Sequence, residues 1–331
     1  MGNCIVLPQI FNAKQITNMD STESEQSSER ISTNQATTTT AVDTTLDMNH
    51  TTININREFH NEETSTYWLP KDEDEQQRLT GQHFAFKELF EGNISRSVRE
   101  ALDFEKGISV LDVGCGSGVW IMDMINDYPN CTYHGCDIAD ATNKVLKVNQ
   151  FTYSHGNVAT GLPYEDSTFD FVHMRFLTLA LRKEEWPPAI KELLRVVKPG
   201  GMIQLMEFEL LSPDDSSSAF YKLAKSMHSV ALSRGQNMEA FSQLEELLLE
   251  TKMAKVVQQD YRRCNMSSNT VTAKKLAWDI VEGAKSVMPA IKPIVGLKSK
   301  EDILKFLAEL RYCITHTDCY FNANSVSAQK L

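Results

Sequence analysis

The stretch Ile108–Trp120 reads ISVLDVGCGSGVW: a β-favouring run ends at Val113, and glycines then fall at 114, 116 and 118 ahead of an apolar, helix-like continuation. A strand that opens through glycines into a helix lets backbone approach a ligand closely and turns helix N-terminal amides toward it. The dinucleotide fingerprint G-x-G-x-x-G would place its third glycine at 119, but that residue is Val119 and Gly118 comes one place early. A nicotinamide or flavin site, the mark of an oxidoreductase, is thereby disfavoured. Asp137, in HGCDI, is the next acidic residue at a strand end. A carboxylate there can accept both ribose hydroxyls of a nucleoside.

Outward from this loop the chain alternates strand and helix. SVLDVG, TYHGCDI, TYSHGNV, FDFVHMRF and GMIQLMEFEL are short apolar or β-branched runs separated by helical stretches. That order predicts right-handed βαβ units and a Rossmann-like α/β fold, a mostly parallel seven-stranded sheet with helices on both faces. Upstream, LPKDEDEQQRLTGQHFAFKELFEGN sets Leu79, His83, Phe86 and Phe90 on one helical face, with Pro70 and Asp72 at the start and Gly92 as the stop. Downstream lie SSAFYKLAKSMHSVAL, EAFSQLEELLLETK, TAKKLAWDIVEGAKSV and KEDILKFLAELRYCIT as helices. KVVQQDYRRC and CYFNANSVSAQKL are the remaining strands.

Residues 1–60 are dominated by Ser, Thr, Asn, Gln and acids, as in STESEQSSERISTNQATTTTAVDTT. Such a composition cannot bury enough apolar surface to offset its ordering entropy, so a disordered tail is expected there. The folded domain is then 61–331, with a helical lead-in at 66–106, a core at 107–210, and lid helices and last strands at 211–331. A net charge of −11 argues against gripping nucleic acid by phosphate neutralisation. Seven cysteines without a C-x-x-C pair suggest a reduced, cytoplasmic or nuclear protein and neither a disulfide framework nor a zinc site. A membrane enters only through the start MGNCIV, where Gly2 and Cys4 could be lipidated, although Val6 stands where the myristoylation motif wants Ser or Thr.

The residues VLDVGCGSG, CDIA, GNVATGLPYEDSTFDFVHMRF and ELLRVVKPGGMIQLMEFE occur in the order found in class I S-adenosylmethionine-dependent methyltransferases, and the chain resembles that family. YWLPKDEDEQQRLTGQHFAFKELFEGN and RFLTLALRKEEWPPAIKELLRVVKPGG are similar to the fungal members related to a regulator of secondary metabolism. The likeness covers about 66–210 well. It implies S-adenosylmethionine as cofactor, with Gly114, Gly116 and Gly118 around the methionine moiety and Asp112 anchoring the loop. It further implies Asp137 on the ribose, Ile138 against the adenine, and Asn157 and Val158 at the adenine amine. Arg175 would stand where the two substrate pockets meet.

Each role has a plainer competitor: Asp112 could cap the loop, Asn157 could serve a turn, and Arg175 could be an ion-pair partner. The methyl acceptor, a small molecule or a protein, attacks in line, so the protein mainly binds, aligns and desolvates. No metal is required. Where the acceptor must lose a proton, Glu207 and Glu209 at the end of the fifth strand are the candidate bases, with His173 and His83 behind them. Tyr67, Trp68, Phe220 and Met227 are candidate lining for the acceptor, and 211–250 is expected to be a mobile lid. A regulatory protein that keeps the fold without transfer is the alternative.

Overall fold

The computed structural model describes residues 57–59, 65–139, 149–210 and 215–331. The expected tail at 1–60, apart from Arg57–Phe59, lies outside them, as do 211–214 of the expected lid.

Among the described residues, two helices precede the sheet. α1 (Glu73–Leu89) starts at the Asp72 cap, which accepts from the Glu75 N–H, and is followed by α2 (Arg96–Ala101). β1 (Ser109–Val113), α3 (Val119–Asp127), β2 (Thr132–Asp137) and β3 (Phe151–His155) form the first half of the sheet, and β4 (Phe169–Arg175), α4 (Trp186–Val196) and β5 (Val197–Leu210) extend it. Then follow α5 (Ala219–Ser233), α6 (Ala240–Glu250), β6 (Ala254–Asn265), α7 (Val271–Val295), α8 (Lys300–His316) and β7 (Tyr320–Lys330). The strand order is β3-β2-β1-β4-β5-β7-β6, and only β7 runs against its neighbours. The fold class read from the alternation of elements is the one found. The order reverses between β1 and β4, which opens a crevice beyond their carboxyl ends.

Strand periodicity assigns the two faces. Val110 packs with Trp120, Ile121 and Met124 on the α3 side, while its neighbour Leu111 packs with Leu193, Leu194, Leu244 and Leu248 on the side of α4 and α6. A third apolar cluster joins α1, α5, α7 and α8 to Met206, Phe321 and Ala323 near the carboxyl end of the sheet. Leu244 and Leu248 are fully buried against the sheet, so α6, which lies within the lid expected over 211–250, packs in the core. Among the described residues no helix is long and apolar enough to cross a membrane.

The inward face of α1 departs from the apolar stripe. His83 and Phe86 are buried as expected, but Leu79 and Phe90 are only half-buried, and Glu75 and Arg78 are buried in their place. Partners far along the chain account for this. Arg78 contacts Glu75 at 2.6 Å and Asp279 of α7 at 2.7 Å, Gln82 donates to Asp279 at 2.9 Å, and Ser286 of α7 bonds the second Glu75 oxygen. Helical periodicity cannot see a charge network completed from another helix.

Candidate active site

The crevice at the carboxyl ends of the strands deepens into a cavity of about 600 Å³, within the size range of small-molecule sites. The glycine loop forms one side. Gly114, Gly116 and Gly118 have φ of 71°, 51° and 79°, the left-handed region that only glycine enters without strain. A Cβ on Gly114 would stand 2.8 Å from Leu177, and one on Gly116 would meet nothing within 4 Å, so that residue is glycine for its conformation and leaves the cavity open.

Two carboxylates stand beside this loop, and one of them, Asp137, fixes it. Asp137 accepts the Gly116 N–H at 2.8 Å on one oxygen and the Ala139 N–H at 3.0 Å on the other, which leaves a lone pair on each oxygen at the cavity wall. Burial pushes its carboxyl upward against those two bonds. Asp112 is buried and accepts from His173 Nδ1 at 2.8 Å. Ile138, Asn157 and Val158 line the same end of the cavity, and Asn157 Oδ1 also accepts the Ala159 N–H at 2.9 Å.

Glu207 and Glu209 reach the other end, with Arg175 between. Glu207 is buried; its oxygens accept from the Leu177 N–H and the Thr178 hydroxyl, and burial pushes its carboxyl up to about 7. Glu209 is half-buried and accepts from Asn322 at 3.2 Å. His173 is a correction. Its ring is buried, stacked 4.0 Å from Trp120 and tied to Asp112, and it does not line the cavity, so it can reach no acceptor there. Burial also pulls its pKa down.

Of the expected lining residues, Tyr67 and Met227 face the cavity. Trp68 and Phe220 do not: Trp68 donates to Gln236 and Phe220 is core. The lining also includes Leu79, Phe176, Phe208 and, from α7, Ile280, Ala284 and Val287, together with Arg78 and Asp279. α7 was legible as a helix, but nothing in its spacing says that it roofs a site. These features fit the cofactor implied by the sequence: an open glycine turn, a carboxylate with free lone pairs at the cavity wall, and the apolar side chains of Ile138 and Val158 at the same end.

Residues 110–201 match the family model described as a methyltransferase domain. Among curated proteins the chain is 29% identical over 155 residues to the secondary metabolism regulator laeA of Coprinopsis cinerea, covering 46% of this chain and 38% of that one. It is 30% identical over 163 residues to the N-methyltransferase verN of Clonostachys rogersoniana (48% and 55%). It is 36% identical over 115 residues to a demethylmenaquinone methyltransferase of Bacillus cytotoxicus (32% and 47%). The chain thus spans about half the length of these relatives or less.

Proposed function

We propose that this protein transfers the methyl group of S-adenosylmethionine to a largely apolar small molecule. The observation that carries this reading is the continuity of one cavity, from Asp137 and the glycine loop to an apolar chamber under α1, α5 and α7. A chamber of that kind suits a compact acceptor better than a protein surface. When bound, the cofactor supplies an electrophilic methyl group on a sulfonium for in-line attack.

The chain's own residues bind and orient. Gly114, Gly116 and Gly118 admit the methionine moiety, Asp137 takes the ribose hydroxyls, Ile138 and Val158 flank the adenine, and Asn157 meets its amine. Leu79, Phe176, Phe208 and Met227 exclude water from the acceptor side. An acceptor that must shed a proton finds Glu207, with its carboxyl near 7, or Glu209 at the same wall.

A second reading has one observation behind it: the similarity to laeA, which is named a regulator. In it the fold and cofactor site persist while the protein acts through partners. Labelled S-adenosylmethionine added with a cell extract separates the two. Label in the small-molecule fraction supports the proposal, and label in protein points to a macromolecular acceptor. Cofactor binding with no transfer favours the regulator, and failure of S-adenosylhomocysteine to raise the melting temperature sinks both.

A further inference from the structure

The last turn of α8 and the residue just ahead of β7 bring two thiols into contact. Cys313 Sγ lies 3.8 Å from Cys319 Sγ. The Thr317 hydroxyl touches both sulfurs, at 3.5 Å and 3.4 Å, and donates to the Cys313 carbonyl at 2.7 Å where α8 ends. A disulfide needs its sulfurs at about 2.05 Å, so bonding asks them to approach by roughly 1.8 Å. Residues 315–318, the chain that must yield, are half-buried or exposed, so the approach displaces no fully buried side chain there.

The two thiols differ in access. Cys313 is half-buried on α8, whereas Cys319 is 1% exposed and its burial pushes the thiol's pKa upward. An oxidant is attacked by the sulfur it can reach, which is Cys313, and Cys319 is the sheltered thiol behind it. A resolving thiol in contact with the attacking one stops oxidation at the disulfide.

Position gives the pair a reach beyond its own turn. The Cys319 carbonyl accepts the Met266 N–H at 2.9 Å just past β6, and β7 begins at the next residue. In β7, Phe321 stacks on Phe208 with ring centroids 5.0 Å apart, and Asn322 donates to Glu209 at 3.2 Å. Phe208 and Glu209 both line the cavity. A covalent link from α8 to Cys319 therefore fixes the start of the strand that supports this wall.

We propose that Cys313 and Cys319 are a redox pair that hydrogen peroxide or an organic hydroperoxide converts to a reversible disulfide. The Cys313 sulfur attacks a peroxide oxygen: the S–O bond forms, the O–O bond breaks, and the other oxygen leaves with the thiol proton as water or an alcohol. The Cys319 sulfur then attacks Cys313: the S–S bond forms, the S–O bond breaks, and hydroxide leaves with the Cys319 proton as water. The two thiols together give up two electrons, which reduce the hydroperoxide. This site does not depend on the methyltransferase reading.

Peptide mass tests it directly. Trypsin releases residues 312–330 as one peptide, because no Lys or Arg lies between Arg311 and Lys330, and these two cysteines are the only ones in it. After the folded full chain is treated with hydrogen peroxide and then iodoacetamide, that peptide should be two hydrogens lighter and unalkylated, and dithiothreitol should restore both thiols. In Cys319→Ser the sulfenic acid on Cys313 should persist and be trapped by dimedone, and in Cys313→Ser the Cys319 thiol should stay reduced. The treated wild type should melt a few degrees above its reduced form, since a disulfide that fits the fold removes freedom from the unfolded chain, and treated Cys319→Ser should not. Two alkylated thiols after peroxide overturn the proposal, as does Cys313 passing to sulfinic acid while Cys319 stays free. A linked chain that melts below the reduced one also overturns it, because the bond would then have formed against the fold.

Discussion

Glu207 Oε1 accepts the backbone N–H of Leu177 at 2.6 Å, so a carboxylate on β5 holds the loop that leaves β4. The loop begins at Phe176, whose φ of 61° is a strained value for a non-glycine residue. The second oxygen takes the Thr178 hydroxyl at 2.9 Å. Burial nevertheless outweighs these bonds and raises the carboxyl from 4.5 to about 7, so the folded state favours the protonated form. The stability this contributes is complete below about 4.5 and is lost as pH rises through about 7. Unfolding in urea at pH 5 and at pH 8 should show the wild type losing up to about 3 kcal/mol more than Glu207→Gln over that interval. Equal pH slopes in the two proteins would mean the carboxyl titrates normally. In the same variant turnover should fall while S-adenosylhomocysteine affinity stays nearly constant.

Asp137 ties the glycine loop to the end of β2, since one oxygen holds the Gly116 N–H, and the proposal gives its free lone pairs to the ribose. Asp137→Ala should abolish most of the rise in melting temperature produced by S-adenosylhomocysteine, a loss of about 2 to 3 kcal/mol in binding from charge-assisted bonds. Because burial raises this carboxyl, cofactor affinity should also decline as pH falls through its shifted pKa. Calorimetry across acidic pH checks this, and affinity that is flat in the wild type and intact in the variant would remove Asp137 from the site.

That the glycine loop, Asp137, Asn157 and Val158 line one cavity was legible because its signals are local. The three glycines, Asp137, and Asn157 with Val158 each sit within a few residues of a strand end, and a parallel sheet brings strand ends together. The acceptor half was not, because it is assembled from helices far apart in the chain. Nothing in the spacing of Arg78 and Asp279 joins them until α1 packs on α7, where Gly81 makes room for the Trp278 ring: a Cβ there would lie 2.4 Å from it. His173 misled for the opposite reason. It occupies a strand beside the crevice, but the alternation of side chains directs it into the layer under Trp120.

The Arg78–Asp279 pair makes a stability prediction. Both groups are buried, at 6% and 1% exposure, and joined at 2.7 Å. Asp279→Ala leaves Arg78 with Glu75 alone and Gln82 without its acceptor, and should cost about 1 to 3 kcal/mol in denaturant unfolding. Adding Arg78→Met should not recover that, because the buried Glu75 then loses its partner at 2.6 Å. A double variant as stable as the wild type would show that the cost comes from packing and not from the charges.

The start of the fold can be located by truncation. Arg57 contacts Asp72, the cap of α1, at 2.6 Å, with side-chain exposures of 5% and 12%, and it also lies 3.7 Å from Glu75. A chain beginning at residue 50 should therefore unfold and bind S-adenosylhomocysteine like the full protein. One beginning at residue 61 should lose about 1 to 3 kcal/mol with the ion pair. This places the boundary ahead of Arg57, several residues earlier than composition suggests. Indistinguishable melting of the two truncated chains would return it to 61.

Gly283 offers a way to close the acceptor chamber without touching the cofactor. It lies within α7 and lines the cavity, and a Cβ there would meet only the Arg78 side chain, at 3.9 Å, an ordinary contact. Gly283→Ala should then gain up to about 1 kcal/mol from helix propensity alone. Gly283→Leu should extend a branched side chain into the space under α7 that the proposal gives to the acceptor. Methyl transfer into the small-molecule fraction should fall by at least tenfold, equivalent to ~1.4 kcal/mol, with S-adenosylhomocysteine affinity unchanged by calorimetry. Undiminished transfer in the Leu variant would put the acceptor elsewhere, and a matching loss of cofactor affinity would mean that the two halves of the cavity are not separate sites.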